Sequence, residues 1–549
     1  MSFRQSAVRF LREVRIPGRA MKAFSWRSLS SPPMHVGERE VLCQCSYGGR
    51  SWGKHHRELL PWIYLSAHAA VFLGLNASPA FAEDVSVELS PENDVNGLRR
   101  IEDGSVISNE HTSKWRVFTD TGRDLFLQGK LDKAEKLFLS ALEEAKMGFG
   151  EGDPHVASAC NNLAELYRLK KSFEKAEPLY MDAIKILENS FGPEDVRVAV
   201  AYHNLGQFYL VRRKLEEAHQ CYERALKIKR RVLGHGHPDY ADTMYHLGTV
   251  FYLQGKEKDA EALIQESIVI LEEAGQGESI SCMRRLRFLA QMYAKSGRLA
   301  EAENIQRKIL HLMELSKGWN SLDTVTAAES LALTIQSIGK LLEARELLDR
   351  CLEARKTLLP EEHVQIAGNM LHISRVQMLQ SSLLRKTNIS EALAELDKAK
   401  GYLCNSIRIA KLILYKSKKE GGGQQSYGLS RRGATKDVHV ALVILLQAYN
   451  ALAQLEIEKQ ELLQIEGGDK PSSIPEAESA LRQCISSFKE FVTMEVSPEV
   501  KLEYVSCMKR LLALIDDYGT ARHSQEKTQL QDEIRRVERD NSMDQKRKP

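Results

Sequence analysis

Residues 161–183 read NNLAELYRLKKSFEKAEPLYMDA, and two small residues in this stretch, Ala164 and Ala176, lie twelve positions apart. Both belong to series that recur every 42 residues. The first series comprises Gly122, Ala164, Gly206, Gly248, Ala290, Ala332 and Ser374, and the second comprises Ala134, Ala176, Ala218, Ala260, Ala302 and Ala344. Two small residues per period predict two helices that cross where a larger side chain would force them apart. The pattern therefore predicts an all-α solenoid of antiparallel helix pairs.

The residues around these small positions resemble the tetratricopeptide repeat (TPR). The matching residues of one repeat are Leu163, Ala164, Tyr167, Ala176, Tyr180 and Ala183. An ordinary TPR has ~34 residues, so the longer period resembles the kinesin-light-chain subgroup. The resemblance covers about residues 114–400 and implies a right-handed superhelix whose concave surface is lined by the first helix of each repeat. We expect about seven regular repeats, followed by a degenerate helix pair and a capping helix.

The sequence pattern divides the chain into six segments. They are a targeting leader (1–82, with an apolar run at 59–82), an acidic linker (83–113), the TPR array (114–415), a flexible loop rich in Gly, Lys and Arg (416–437), degenerate TPR-like helices with a cap (438–519) and a charged tail (520–549). In the seventh repeat the expected alanine arrives six residues late, at Ala392, which predicts an insertion near residues 383–388. The tail is either a solvated helix or disordered.

The leader has the composition of an organelle-targeting sequence. Residues 1–82 contain eleven Lys and Arg against four Asp and Glu, and residues 59–82 contain no charged side chain and end in Ala80-Phe81-Ala82. A basic region, an apolar core and a small-x-small terminus predict an export signal that is cleaved after Ala82. We therefore expect an organelle location, with the plastid (thylakoid lumen or membrane) favoured. A retained membrane anchor and a mitochondrial presequence stay open as alternatives.

The chain shows no motif for catalysis, for a cofactor or for a metal ion. The nine cysteines have neither the spacing of a disulfide framework nor that of a metal site. His235 and His237 are interpreted as inter-repeat loop residues rather than metal ligands. Beyond residue 82 the formal net charge is −4, which does not favour nucleic-acid binding. We therefore expect no enzyme, no cofactor and no nucleic-acid partner.

The resemblance implies a peptide-binding groove on the first helices of the repeats. The predicted groove residues are Asp120, Asn161, Asn162, Arg168, His203, Asn204, Tyr245 and His246. In kinesin-light-chain-like repeats, asparagines that match Asn162 and Asn204 hold the backbone of an extended peptide. A carboxamide suits this role because it offers both a donor and an acceptor. The alternative is that these residues are polar side chains on a solvated helix face.

The favoured interpretation is a non-enzymatic interaction scaffold that binds a protein or an extended peptide segment. Contact with a membrane is expected only if residues 59–82 are retained. A cytosolic kinesin-light-chain-like adaptor for cargo or the cytoskeleton is the main alternative, although no sustained heptads precede residue 114. An RNA-binding helical-repeat protein and an enzyme are less favoured.

Overall fold

The computed structural model describes residues 109–420, 430–466, 474–491, 497–518 and 524–547. The predicted leader 1–82, and the predicted linker as far as residue 108, lie outside these ranges. Within them, all regular secondary structure is helical. The helices are α1 Glu110–Leu127, α2 Leu131–Phe149, α3 Pro154–Leu169, α4 Phe173–Phe191, α5 Val196–Val211, α6 Leu215–Leu233, α7 Pro238–Leu253, α8 Glu257–Glu273, α9 Ile280–Lys295, α10 Leu299–Lys317, α11 Leu322–Ile338, α12 Leu341–Leu358, α13 Val364–Leu384, α14 Ile389–Glu420, α15 Ser430–Ile465, α16 Pro475–Phe491, α17 Pro498–Tyr518 and α18 Ser524–Arg547.

Consecutive helices pack as pairs, and the two series of small residues lie where the helices of a pair meet. All six alanines of the second series are completely buried. In the pair α5/α6, a Cβ atom on Gly206 would lie 2.9 Å from the ring of Tyr222. Tyr222 is itself completely buried, so its ring has no room to move away. These contacts confirm the predicted all-helical array of packed pairs.

The first helices begin at N-caps that share the 42-residue period. The N-cap residues are Asp153, Asp195, His237, Ser279, Ser321 and His363. The Asp153 carboxylate accepts a hydrogen bond from the backbone N–H of His155 at 2.8 Å, and His237 Nδ1 accepts one from that of Asp239 at 3.1 Å. Such caps satisfy N–H groups that have no partner within the helix. His237 is therefore a loop residue, as expected, with a defined capping role.

In the C-terminal part the 42-residue period is interrupted, and the extra residues lengthen the helices. The insertion predicted near residues 383–388 lengthens α13, and Ala392 is still completely buried in α14. Residues 416–420 and 430–437, which the sequence analysis assigned to a flexible loop, belong to α14 and α15. Triple glycine and mixed charge at 421–436 suggested a longer break, but α14 extends to Glu420 and α15 begins at Ser430.

The charged tail contains a helix, α18, that packs on α17. Leu530 and Ile534 of α18 are buried, and the Tyr504 hydroxyl of α17 donates a hydrogen bond to the Glu533 carboxylate at 2.6 Å. The apolar stripe of α18 therefore covers the end of the array, and its charged residues remain on the outer side.

A disulfide joins Cys484 of α16 to Cys507 of α17, with their Cα atoms 6.5 Å apart. The sequence pattern does not predict this pair, because 23 residues separate the cysteines and no motif surrounds them. Closing a loop of this length stabilises the fold by about 3 kcal/mol in the chain-entropy account. The crosslink therefore secures the helices that follow the regular repeats.

Among the described residues, one helical segment, Asp437–Ile465 of α15, is long and apolar enough to cross a membrane. Within its most apolar window, 72% is buried inside the fold. Ala441, Leu445 and Tyr449 are among the residues that build the largest apolar cluster. The segment therefore has the environment of a core helix.

Replacing Gly206 with leucine should separate α5 from α6. Because the new side chain would overlap the immobile Tyr222 ring, we expect a loss of roughly 1–3 kcal/mol or more, seen as a lower thermal midpoint by far-UV circular dichroism. Gly401→Leu is the matched control, since Gly401 lies in a helix with nothing within 4 Å of its Cβ position. An equal midpoint for the two variants would contradict the close approach at Gly206.

Candidate functional site on the first-helix face

The first helices of neighbouring pairs contact one another along one side of the array. We call the surface formed by α1, α3, α5, α7 and α9 the first-helix face. Hydrogen bonds between side chains connect α3 with α5, α5 with α7, and α7 with α9. All eight predicted groove residues lie on these helices. Six of the eight are buried, and Asp120 and His246 are partly exposed.

The asparagines of this face bond mainly to each other. Asn204 Nδ2 donates to Asn161 Oδ1 at 3.0 Å, which joins α5 to α3. Asn162 lies beside this pair and is 3% exposed. Its Oδ1 atom is buried and accepts no hydrogen bond from the described residues. The structure thus places an unsatisfied acceptor, Asn162 Oδ1, next to the amide–amide bond between Asn161 and Asn204.

Arg168 is held inside its own repeat. Its Nε and Nη2 atoms donate to Glu165 Oε2 at 3.0 and 2.7 Å, and the Tyr180 hydroxyl of α4 donates to the other oxygen of the same carboxylate. All three side chains are buried. Breaking such a buried pair leaves an uncompensated charge, so the guanidinium is committed to the carboxylate. Arg168, a predicted groove residue, is therefore a packing residue that stabilises the pair α3/α4.

His203 and His246 come together with an aspartate that the sequence analysis did not select. His203 Nε2 lies 3.6 Å from Asp242 Oδ2, and His246 Nε2 lies 3.9 Å from the same oxygen. The other oxygen, Asp242 Oδ1, accepts a hydrogen bond from Arg285 of α9 at 3.1 Å. Three first helices, α5, α7 and α9, thus contribute charged or titratable groups to one cluster.

Burial and charge set the protonation of this cluster. Burial lowers the pKa of His203 well below its ordinary value, and the nearby Lys229 ammonium adds to this effect. Burial alone would raise the pKa of Asp242, but its charged neighbours, Arg285 and Lys229 among them, hold that pKa well below its ordinary value. At neutral pH the cluster therefore contains a neutral His203 and an ionised Asp242.

The last two predicted residues differ in their environment. Tyr245 packs edge-on against Phe288 of α9 and belongs to a buried apolar cluster. The Asp120 carboxylate of α1 is 39% exposed and accepts a hydrogen bond from Arg123 Nη2 at 3.0 Å. Tyr245 therefore joins neighbouring repeats, and Asp120 lies open at the beginning of the face.

Three buried cysteines, Cys160, Cys221 and Cys351, are poorly suited to act as nucleophiles. Burial raises the pKa of the Cys160 thiol to about 11 and the pKa values of Cys221 and Cys351 to about 12. A reactive cysteine instead has a lowered pKa, because the thiolate is the nucleophile. These three side chains pack as small apolar groups between helices.

Comparison with known proteins identifies the repeats. Family models of the tetratricopeptide repeat match residues 119–189, 197–273 and 324–365. The chain therefore contains tetratricopeptide repeats over those residues. A search among curated proteins finds no match.

Several solved structures resemble parts of the chain at low sequence identity. The TPR-like repeats of a kinesin-light-chain candidate from Podosopora anserina are 20% identical, with a TM-score of 0.35 over 37% of this chain and 98% of that one. BtubC (BKLC) from P. vanneervenii is 16% identical, with a TM-score of 0.36 over 46% and 93%. The apo quorum sensor NprR from B. thuringiensis is 12% identical, with a TM-score of 0.39 over 78% and 98%.

Lowering the pH should destabilise the fold through His203. Because the native pKa of His203 is below that of the unfolded chain, the unfolded state takes up a proton below about pH 6.5 and the native state does not. We expect a loss of about 1–2 kcal/mol between pH 6.5 and pH 5 from this residue.

The measurement compares thermal midpoints at pH 7.5 and pH 5.0 for the natural chain and for His203→Gln. Other buried histidines contribute in the same window, since burial lowers the pKa of His372 to about 4. The informative quantity is therefore the difference between the two proteins in how far the thermal midpoint falls from pH 7.5 to pH 5.0. If the variant lost as much stability on acidification as the natural chain, His203 would not be the titrating group.

Proposed function

We propose that this chain, which contains tetratricopeptide repeats, is a non-enzymatic protein-interaction scaffold. It binds an extended segment of a partner protein on its first-helix face. The scaffold acts in an organelle, with the plastid favoured, and assists the assembly or regulation of a complex. Three kinds of observation support this proposal: an unsatisfied acceptor on the face, the charge balance of the chain, and the features that indicate its compartment.

The observation that carries the proposal is the buried Asn162 Oδ1 atom without a partner among the described residues. A buried acceptor without a donor costs about 1–3 kcal/mol. Once the Asn162 carboxamide rotates toward the surface, a backbone N–H of an extended peptide removes that cost without any requirement on the peptide's side chain. The site therefore favours a partner that presents its main chain, and such a partner is an extended segment.

The pairing of Asn204 with Asn161 fixes the surroundings of this acceptor. Asn204 lies one repeat period, 42 residues, after Asn162. Because Asn204 Nδ2 already donates to Asn161 Oδ1, it holds α3 and α5 in register. A peptide that bonds to Asn162 thus meets a preorganised surface, which reduces the entropy lost on binding.

Charge favours a protein partner over nucleic acid. Beyond residue 82 the chain has a small negative net charge, and Arg168 and Arg285 of the first-helix face are paired with carboxylates. A nucleic-acid surface needs lysines and arginines that are available to phosphates. The paired arginines Arg168 and Arg285 do not provide such a surface.

Two features support an organelle location. The basic leader with its uncharged run at 59–82 has the composition of a two-part targeting sequence. The Cys484–Cys507 disulfide is typical of a compartment where thiols become oxidised, and cytosolic proteins rarely keep such a bond. Both features favour a lumenal scaffold over a cytosolic adaptor.

The double substitution Asn162→Ala and Asn204→Ala should weaken partner binding. The first change removes the unsatisfied acceptor, and the second loosens the register of α3 and α5. The partner is first isolated from the native source with the natural chain, and its bound segment is then synthesised. We expect the affinity for this segment, measured by calorimetry, to fall at least tenfold, which corresponds to about 1.4 kcal/mol.

The matched control is Asn189→Ala, since Asn189 is an exposed asparagine on the second helix α4. Helical content must be equal in all three proteins by circular dichroism. If the double variant bound the segment as tightly as the control, the binding site would lie off the asparagine row.

The mature protein from its native source should begin at Glu83. Cleavage after Ala82 would remove the leader together with the apolar run, and N-terminal sequencing measures the start directly. A start between about residues 20 and 58 would instead indicate a retained anchor. An intact Met1 would contradict the organelle proposal and favour the cytosolic adaptor.

A further inference from the structure

The cluster of His203, Asp242 and His246 has the geometry of a metal-binding triad. One ligand atom from each side chain lies within 4.8 Å of those of the other two. Asp242 and His246 are four residues apart on α7, so their side chains share one face of that helix. His203 approaches from α5, one helix pair earlier. Two helices thus bring together two imidazole nitrogens and a carboxylate oxygen.

The hydrogen bonds around His203 orient the ring for coordination. The Thr243 hydroxyl donates to the Asp239 carbonyl at 3.2 Å and accepts from the Lys229 ammonium at 2.9 Å. Its remaining lone pair accepts from His203 Nδ1–H at 3.1 Å. This tautomer leaves the lone pair on Nε2, which is the atom nearest Asp242 Oδ2. A metal-binding histidine is usually oriented by such a bond from its other nitrogen.

Gln207 provides a second sign that nitrogen lone pairs converge here. Its Nε2 atom lies 3.4 Å from His203 Nε2 and 3.4 Å from His246 Nε2. Both distances are long for a hydrogen bond, so the amide interacts weakly with each ring. Two imidazole nitrogens and a carboxylate oxygen around one point repel each other, and a cation at that point removes the repulsion.

The distances suit a small divalent cation. Two ligands about 2.1 Å from a tetrahedral Zn²⁺ lie about 3.4 Å from each other. The separations of 3.6 and 3.9 Å between Asp242 Oδ2 and the two Nε2 atoms are within a few tenths of an ångström of that value. Small side-chain rotations would close this difference.

The cationic side chains near Asp242 leave one of its two carboxylate oxygens available to a metal ion. Arg285 donates to Asp242 Oδ1, and Lys229 is engaged by Thr243 and by the Asp239 carbonyl. Burial keeps the pKa of His203 low, so its ring is neutral, the form that coordinates metals. Arg285 therefore orients the carboxylate and leaves Oδ2 directed at the two rings.

We propose that His203, Asp242 and His246 bind a divalent transition-metal ion such as Zn²⁺ on the first-helix face. Two imidazoles and one carboxylate are a common ligand set for this ion. The Asp242 side chain is 32% exposed and that of His246 is 15% exposed, so the site has access to the face. The fourth coordination position is left for water or for a group from outside the chain. The site is independent of the proposed partner, because the ion binds to this chain alone.

The test measures Zn²⁺ binding to the full chain, without a histidine tag, by isothermal titration calorimetry. Zinc bound by any other histidine or cysteine of the chain contributes equally to both proteins, so the informative quantity is the difference in bound zinc between the natural chain and His203→Gln/His246→Gln. We expect the natural chain to bind one additional equivalent that raises its thermal midpoint, because the ion binds only to the folded site. Co²⁺ in the same site should give the visible absorption of a four-coordinate ion.

Each single variant, His203→Gln and His246→Gln, should bind this additional zinc ion with an affinity at least tenfold lower than that of the natural chain. His246→Gln is the variant to interpret first, because its side chain is partly exposed and its loss disturbs packing less. His219→Gln is the matched control, since His219 is a partly buried histidine of α6 outside the cluster and should leave the equivalent intact. Equal zinc stoichiometry in the natural chain and the double variant would overturn the proposal.

Discussion

The fold depends on one repeated contact, a small residue on a first helix against a large side chain on the following helix. Gly122 faces Phe138, Gly206 faces Tyr222 and Gly248 faces Ile264, and in each case a Cβ atom on the glycine would lie 2.7–2.9 Å from the partner side chain. In each case the large residue follows the glycine by sixteen positions. Because the three large side chains are almost completely buried, they fix the distance between the helices. Each pair thus becomes a rigid unit that can stack on the next.

This framework is predictable from the sequence because close packing restricts residue size at every repeat. The caps and turns that begin and end the helices were not predicted, although they share the 42-residue period. Between the two helices of a pair, one residue in each of six repeats has positive φ: Gly129, Lys171, Arg213, Gly255, Gly297 and Gly339. Glycine occupies four of these positions, which is the signal that a left-handed turn leaves. Lys171 and Arg213 hide the pattern, because they adopt the same conformation at a steric cost.

The site was harder to predict than the fold, since its polar partners come from different repeats. The sequence pattern placed Asn161, His203 and Arg168 on the first helices, and the structure does the same. It could not show that these groups bond to Asn204, Thr243 and Glu165. Asp242 was missed because an aspartate four residues before a histidine is unremarkable until α5 brings His203 beside it. Periodicity identifies the face of a helix, and only packing identifies which side chains meet there.

These internal bonds change what recognition on the first-helix face requires. A partner that competed for Arg168 would have to break a buried ion pair, and the carboxylate left behind would be costly. In the proposed scaffold, binding would therefore favour groups without a hydrogen-bond partner, such as the buried acceptor of Asn162. The satisfied pairs instead hold the helices in register and keep the open groups in place. Under the proposed function, such a face would bind a partner whose donors coincide with the unsatisfied acceptors, so selectivity would follow from which polar groups of the face are already hydrogen-bonded.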